Sequence, residues 1–143
     1  MRYQAIRAAV ESPLQTAFGA LSPAVPVFFD NITAAPANAT TEYVTVFIEF
    51  GLTTEQTLES NLDRIRGTVV IRVHTEKGKG PARNQTLINT AVTTLLGLSA
   101  STRADSGVYL RPSAINGPTF STTEASPHLM GQVDTGFIAE DHG

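Results

Sequence analysis

Two stretches of the chain alternate so regularly that they fix what the rest must fold around. In residues 43–50, Val44, Val46, Ile48 and Phe50 point one way and Tyr43, Thr45, Phe47 and Glu49 the other. Residues 67–75 repeat the pattern, with Val69, Ile71 and Val73 opposite Arg72 and His74. A period of two in β-branched and aromatic residues predicts strands that bury one face. Phe47 and Val70 fall among the polar set, so the second face is predicted to be semi-polar, meeting solvent or another subunit.

Two helices are predicted to cover the apolar face. Over residues 2–21, Ile6, Ala9, Val10, Leu14, Ala17, Phe18 and Leu21 form one stripe at three-and-four spacing. Pro13 interrupts it, which predicts a kink or a helix restarted on Ser12 as cap. Glycines at 78 and 80 and Pro81 then lead into a second stripe, Leu87, Ile88, Ala91, Val92, Leu95 and Leu96, with Gly97 as the expected C-cap.

Between these elements, residues 25–29 read as a short strand that its early proline confines to an edge or a strand start. Residues 30–42 read as a long loop, whose length is expected of a binding or assembly role or of disorder. For residues 52–66 a twisted hairpin is favoured over a short helix, with Leu58, Leu62 and Ile65 as contacts. After Gly97, residues 107–110 predict a short strand ended by Arg111-Pro112, then a turn at 115–118 and a polar loop at 119–126. A last strand, 128–138, carries Leu129, Val133 and Phe137 on one side, with Gly131 and Gly136 as bulges or points of close approach. Residues 139–143 are expected to fray. The fold class that follows is α+β: a two-layer, mostly antiparallel sheet with both helices on one face, plus long loops or hairpin extensions, in one domain spanning residues 1–143.

The 143 residues suffice for one core without staples. Charged residues make up 16%, below the usual ~25%, which is expected either of a surface largely covered by neighbours or simply of a Thr-rich, Ala-rich proteome. A net charge of −3 gives no electrostatic footprint for wrapping nucleic acid. The absence of cysteine excludes disulfides and Cys-ligated metals. No apolar run reaches the ~18 residues that a membrane span needs. The N-terminal residues lack an apolar signal core, so the Asn-x-Thr triplets at Asn31, Asn38 and Asn84 are not expected to carry glycans.

No constellation predicts catalysis. The run Lys77-Gly78-Lys79-Gly80-Pro81-Ala82-Arg83 invites an anion to a helix N-terminus. It lacks phosphate-loop spacing, and Pro81 removes one of the amides such a cradle uses. His74, His128 and His142 lack metal-ligand spacing, and Ser106 has no nucleophile elbow around it. The aromatics lie among apolar neighbours and not basic ones, as core or interface residues do. The expectation is therefore a non-enzymatic protein with no cofactor and no metal.

Read as a whole, residues 3–98 resemble the tailed-phage tail terminator family, the lambda-type tail completion proteins. The likeness rests on Tyr3 to Ser12 as first helix and on Val25 to Asn31 as short strand and loop entry. It rests most on the block Arg66-Gly67 plus strand, glycine-rich turn, then Ala82-Arg83 through Leu96 as a long helix. The resemblance implies a homo-oligomeric ring, usually of six subunits, that caps the tail tube and ends its polymerisation. It implies as partners the tail tube protein and a head-side connector, with DNA only passing through the lumen, and a place in the virion after assembly in the host cytoplasm. Arg64, Arg66, Arg72, Lys77, Lys79, Arg83 and Phe47 are the expected subunit or partner interface. Alternative readings are another neck or tube ring component, or a small-ligand-binding α+β domain.

Overall fold

The computed structural model of the chain describes residues 2–21, 25–29, 42–55, 63–76, 78, 81–97, 108–121 and 128–141. Their order is α1 (Arg2–Gly19), β1 (Val27–Phe28), β2 (Tyr43–Glu55), β3 (Asp63–Glu76), α2 (Ala82–Gly97), β4 (Val108–Ser121) and β5 (His128–Asp141). The five strands form one mixed sheet in the order β1-β2-β3-β5-β4, with β1 parallel to β2 and every other pair antiparallel. This is the α+β two-layer class that the alternation predicts.

The stripe of α1 delivers Ile6, Val10, Leu14 and Phe18, all fully buried, onto the sheet. From α2 come Leu87, Ile88, Ala91 and Leu95, and from the sheet Val44, Val46, Val69, Ile71, Val73 and Val133. Each such aliphatic or aromatic side chain is worth about 1.5–3 kcal/mol over leaving it exposed. Both helices belong to this one core, so they share one face of the sheet. After α1, the carbonyl of Phe18 accepts from the amides of both Leu21 and Val25, which turns the chain into β1. β1 takes its place on the outer side of β2, where Val44 N–H donates to the Pro26 carbonyl at 3.0 Å.

The structure corrects several expectations. Of the two expectations for Pro13, a kink or a restart on Ser12, the restart does not occur: α1 continues through Pro13 as one helix. Packing of the stripe on both sides outweighs the one hydrogen bond that proline cannot donate. Leu96 is 55% exposed and not part of the core, whereas Asn84 is fully buried. α2 ends at Gly97, as expected, although that glycine's own φ is not positive. Residues 108–121 form a single 14-residue edge strand instead of a short strand, a turn and a loop. Its register against β5 slips by one residue between Pro112 and Ile115 and again between Asn116 and Thr119, near a cis Gly117–Pro118 bond. The proline and glycine signals mark bulges on an edge, where prolines are tolerated, and not chain reversals. β5 continues to Asp141, paired on both sides, so residues 139–141 do not fray.

The hairpin expected for 52–66 is present at both ends. β2 and β3 pair out to Glu55 and Asp63, with a bulge between Phe50 and Thr53, and Ile65 is fully buried. Leu58 and Leu62 lie outside the described residues, as do Lys77, Lys79, positions 30–41 of the expected loop and positions 122–126 of the other.

Candidate functional site

With both helices on one side, the other face of the sheet has no layer over it among the described residues. The register assigns its side chains. Thr45 of β2, Arg72 of β3, Gln132 of β5 and Thr119 of β4 form one row across the strands. Phe47, Val70, Asp134 and Asn116 form the next, and Tyr43, His74, Met130 and Ser121 the row on the other side. Most of these side chains are half-buried. Ile138, in line with Arg66, is 37% exposed, one of the two large hydrophobic side chains that the described surface shows to solvent.

Arg72 is the centre of this face. Its guanidinium stands 5.3 Å from the centroid of the Phe47 ring, and its Nε donates to Gln132 Oε1 at 3.0 Å. A cation over a ring face gains about 0.5–1 kcal/mol where water still reaches it. No carboxylate of the described residues lies within ion-pair distance of the remaining guanidinium N–H groups. Arg66 is exposed on the same strand and likewise has no described acid partner. Asp134, one row from Arg72, accepts instead from Asn116 Nδ2 at 2.9 Å.

Toward the β1 edge the face becomes aromatic. The rings of Tyr43 and His74, direct cross-strand partners, stack at 4.2 Å with planes 7° apart, and Phe28 meets Tyr43 edge-on at 6.0 Å. Thr45 Oγ1 lies 3.5 Å from His74 Nε2. Tyr43 is only 7% exposed, and burial raises its phenol above the ordinary pKa because the phenolate would lose hydration.

The residues singled out from the sequence divide between two surfaces. Arg66, Arg72 and Phe47 come together on the uncovered face. Arg83 does not join them. It sits in the first turn of α2, where its Nε donates to both carboxylate oxygens of Glu42 at 2.9 and 3.0 Å and ties the start of that helix to the start of β2. That bond is also the main cause of the rise in the Arg83 pKa. Arg64 takes register positions opposite Thr54 and Glu140 near the far end of the hairpin, while Lys77 and Lys79 are outside the described residues. Sequence reasoning missed Gln132, Asp134 and Asn116. The first two occupy the polar phase of the alternating 128–138 segment and were legible there; Asn116 was hidden in a stretch read as a turn.

On the helix side, one polar side chain is fully enclosed. Asn84 Nδ2 lies within 3.0–3.1 Å of the carbonyls of Val73 and Leu129 and of Thr75 Oγ1, joining α2 to two strands, while its Oδ1 is buried with no partner. Gly131 makes room for it: a Cβ there would fall on Asn84 Oδ1 and 2.6 Å from Ile88 Cδ1. The contacts are those of a clamp between layers. No group of three or more His, Cys, Asp or Glu able to hold a metal occurs among the described residues.

No family model matches this chain, and no curated protein matches it. Thirty solved chains resemble it. One of them, whose name carries no functional term, superposes with a TM-score of 0.66 over 96% of this chain and 94% of its own, at 20% identity. At that identity the likeness is one of fold.

Proposed function

We propose that this chain is a structural, non-enzymatic assembly protein of the tail terminator kind. In this reading it closes into a homo-oligomeric ring on the end of a phage tail tube, stops the tube growing, and presents its far side to a head-side connector. The observation that carries the reading is the one-sided sheet. Among the described residues, helices cover one face, and the other holds Phe47, Val70, Met130 and Ile138 beside Arg72 and Arg66. A solitary domain gains nothing from leaving such a face open, whereas a subunit can bury it. The resemblance over residues 3–98 supplies the kind of assembly. The low charge content agrees with a surface in large part destined for contacts. No helix among the described residues is long and apolar enough to cross a membrane, which is compatible with a place at the tail–neck junction of a virion.

The test is to add purified protein to polymerising tail tube protein and to measure tube lengths in negative-stain images. Short tubes bearing a terminal ring support the proposal. Tubes of unchanged length contradict it, and filaments formed by this chain alone would favour a tube subunit instead.

A further inference from the structure

We infer that neighbouring copies pack head to tail, the uncovered sheet face of one on the outer surface of the helical layer of the next. The inference rests on the ring reading, since a closed ring needs two different, mutually complementary patches on each subunit. The second patch is visible in the helices. Every exposed side chain described on either helix is uncharged, from Ala8, Ser12 and Gln15 on α1 to Gln85, Asn89 and Thr93 on α2. A solvated helix face ordinarily carries charges. The described helix charges, Arg7, Glu11 and Arg83, are half-buried and neutralised in the pairs Arg7–Glu11 and Arg83–Glu42, each at 2.9 Å.

Three hydroxyls of α2 are satisfied within the helix itself. Thr86, Thr90 and Thr94 donate to the carbonyls of Ala82, Thr86 and Thr90, each four residues back, at 3.0, 3.3 and 2.8 Å. A threonine bonded in this way needs no donor partner from outside, so covering it with protein costs little desolvation. Leu96, 55% exposed, stands at the end of the same surface.

The areas agree. Two helices side by side, each ~10 Å wide and ~25 Å long, present roughly 500 Å². The four long strands, of 13 to 14 residues each, are ~4.8 Å apart and ~45 Å long and present roughly 860 Å². A contact limited by the smaller surface buries on the order of 1,000 Å² in total, the size at which specific interfaces begin. Each ring member makes two of them. Face-to-face packing of two open sheets, by contrast, gives a closed twofold dimer and leaves the uncharged helical surface bare.

The experiment uses the full chain and two surface variants, Phe47→Asp on the sheet face and Asn89→Arg with Thr93→Arg on the helical face, each checked for native circular dichroism. Should the sheet variant misfold, Thr68→Glu replaces it. Masses are measured by light scattering at matched concentrations. The inference expects wild-type rings and a self-association at least tenfold weaker in either variant alone. It also expects that mixing the two variants restores heterodimers but no rings, because each retains one half of the contact. Wild-type rings with both variants still assembling, with only one variant affected, or with no heterodimer on mixing, would overturn the head-to-tail contact and leave the ring standing. A monomeric wild type would remove the ring reading itself.

Discussion

Phe137 lies across Gly67 from the neighbouring strand, so closely that a Cβ built on Gly67 would stand 2.5 Å from the ring's Cζ and 2.5 Å from the carbonyl oxygen of Glu49. Phe50, opposite Gly67 on its other side, meets the same ring edge-on at 6.1 Å and 87°. The glycine leaves a gap in the central strand, and the two aromatics fill it from either side. Arg7 of α1 comes to 5.9 Å of the Phe50 ring and covers the cluster from above.

Gly67→Ala is expected to lower stability by about 1–3 kcal/mol, the usual cost of overpacking. Trimming the ring in a Gly67→Ala, Phe137→Leu double variant should not restore it, because the Glu49 carbonyl is backbone and cannot swing away. Thermal denaturation of the two variants and the wild type checks both statements.

Asn84→Asp tests the interlayer clamp. A carboxylate there would face the Val73 and Leu129 carbonyls in place of an amide donor, so its charged form would be disfavoured and its pKa raised on folding. A raised folded pKa means that the variant keeps its stability below the unfolded carboxyl pKa of ~3.9 and loses it as pH rises through the folded value. Denaturant midpoints of the variant should therefore approach those of wild type in acid and fall away by neutrality.

Tyr43 supplies an alkaline counterpart. Burial raises its pKa above the ordinary 10.0, so the unfolded chain ionises first. Its contribution is complete below pH 10 and declines as pH rises through the folded value. Tyr43→Phe should flatten the fall in stability above pH 10, as read from melting temperatures against pH.

The Arg83–Glu42 pair is partly exposed, with side chains at 41% and 24%, so solvent screening limits its worth. Glu42→Gln is expected to cost no more than ~1 kcal/mol, and less at high salt. A larger, salt-independent loss would show that the pair does more than tether the start of α2.

Much of this fold was legible because local pattern and tertiary packing agree. Val44 to Phe50 and Val69 to Val73 alternate in the sequence and alternate in the sheet, and the apolar stripes of α1 and α2 meet the one face that those valines offer. The misreadings arose where a residue's local preference yields to its neighbours. Pro13 allowed a helix restarted on Ser12, yet Val10 and Leu14 on either side are fully buried and hold one helix together. Pro112 and Pro118 signal turns, yet on an edge strand they need only bulges. The polar Asn84 sits at helical spacing with Leu87, Ile88 and Ala91, and only the glycine at 131, far along the chain, makes burying it possible. Of the candidate interface, Phe47 and Arg72 were readable as phase partners on adjacent strands. Gln132 stood on the polar phase of its own segment, but its hold on the arginine from the far side follows only from β5 lying next to β3.

The mass of the wild-type protein in solution tests the central claim most directly. Sedimentation velocity from low to high micromolar concentration should show one dominant species of about six chains, each of 15.2 kDa. A single 15.2 kDa monomer across that whole range would contradict the account.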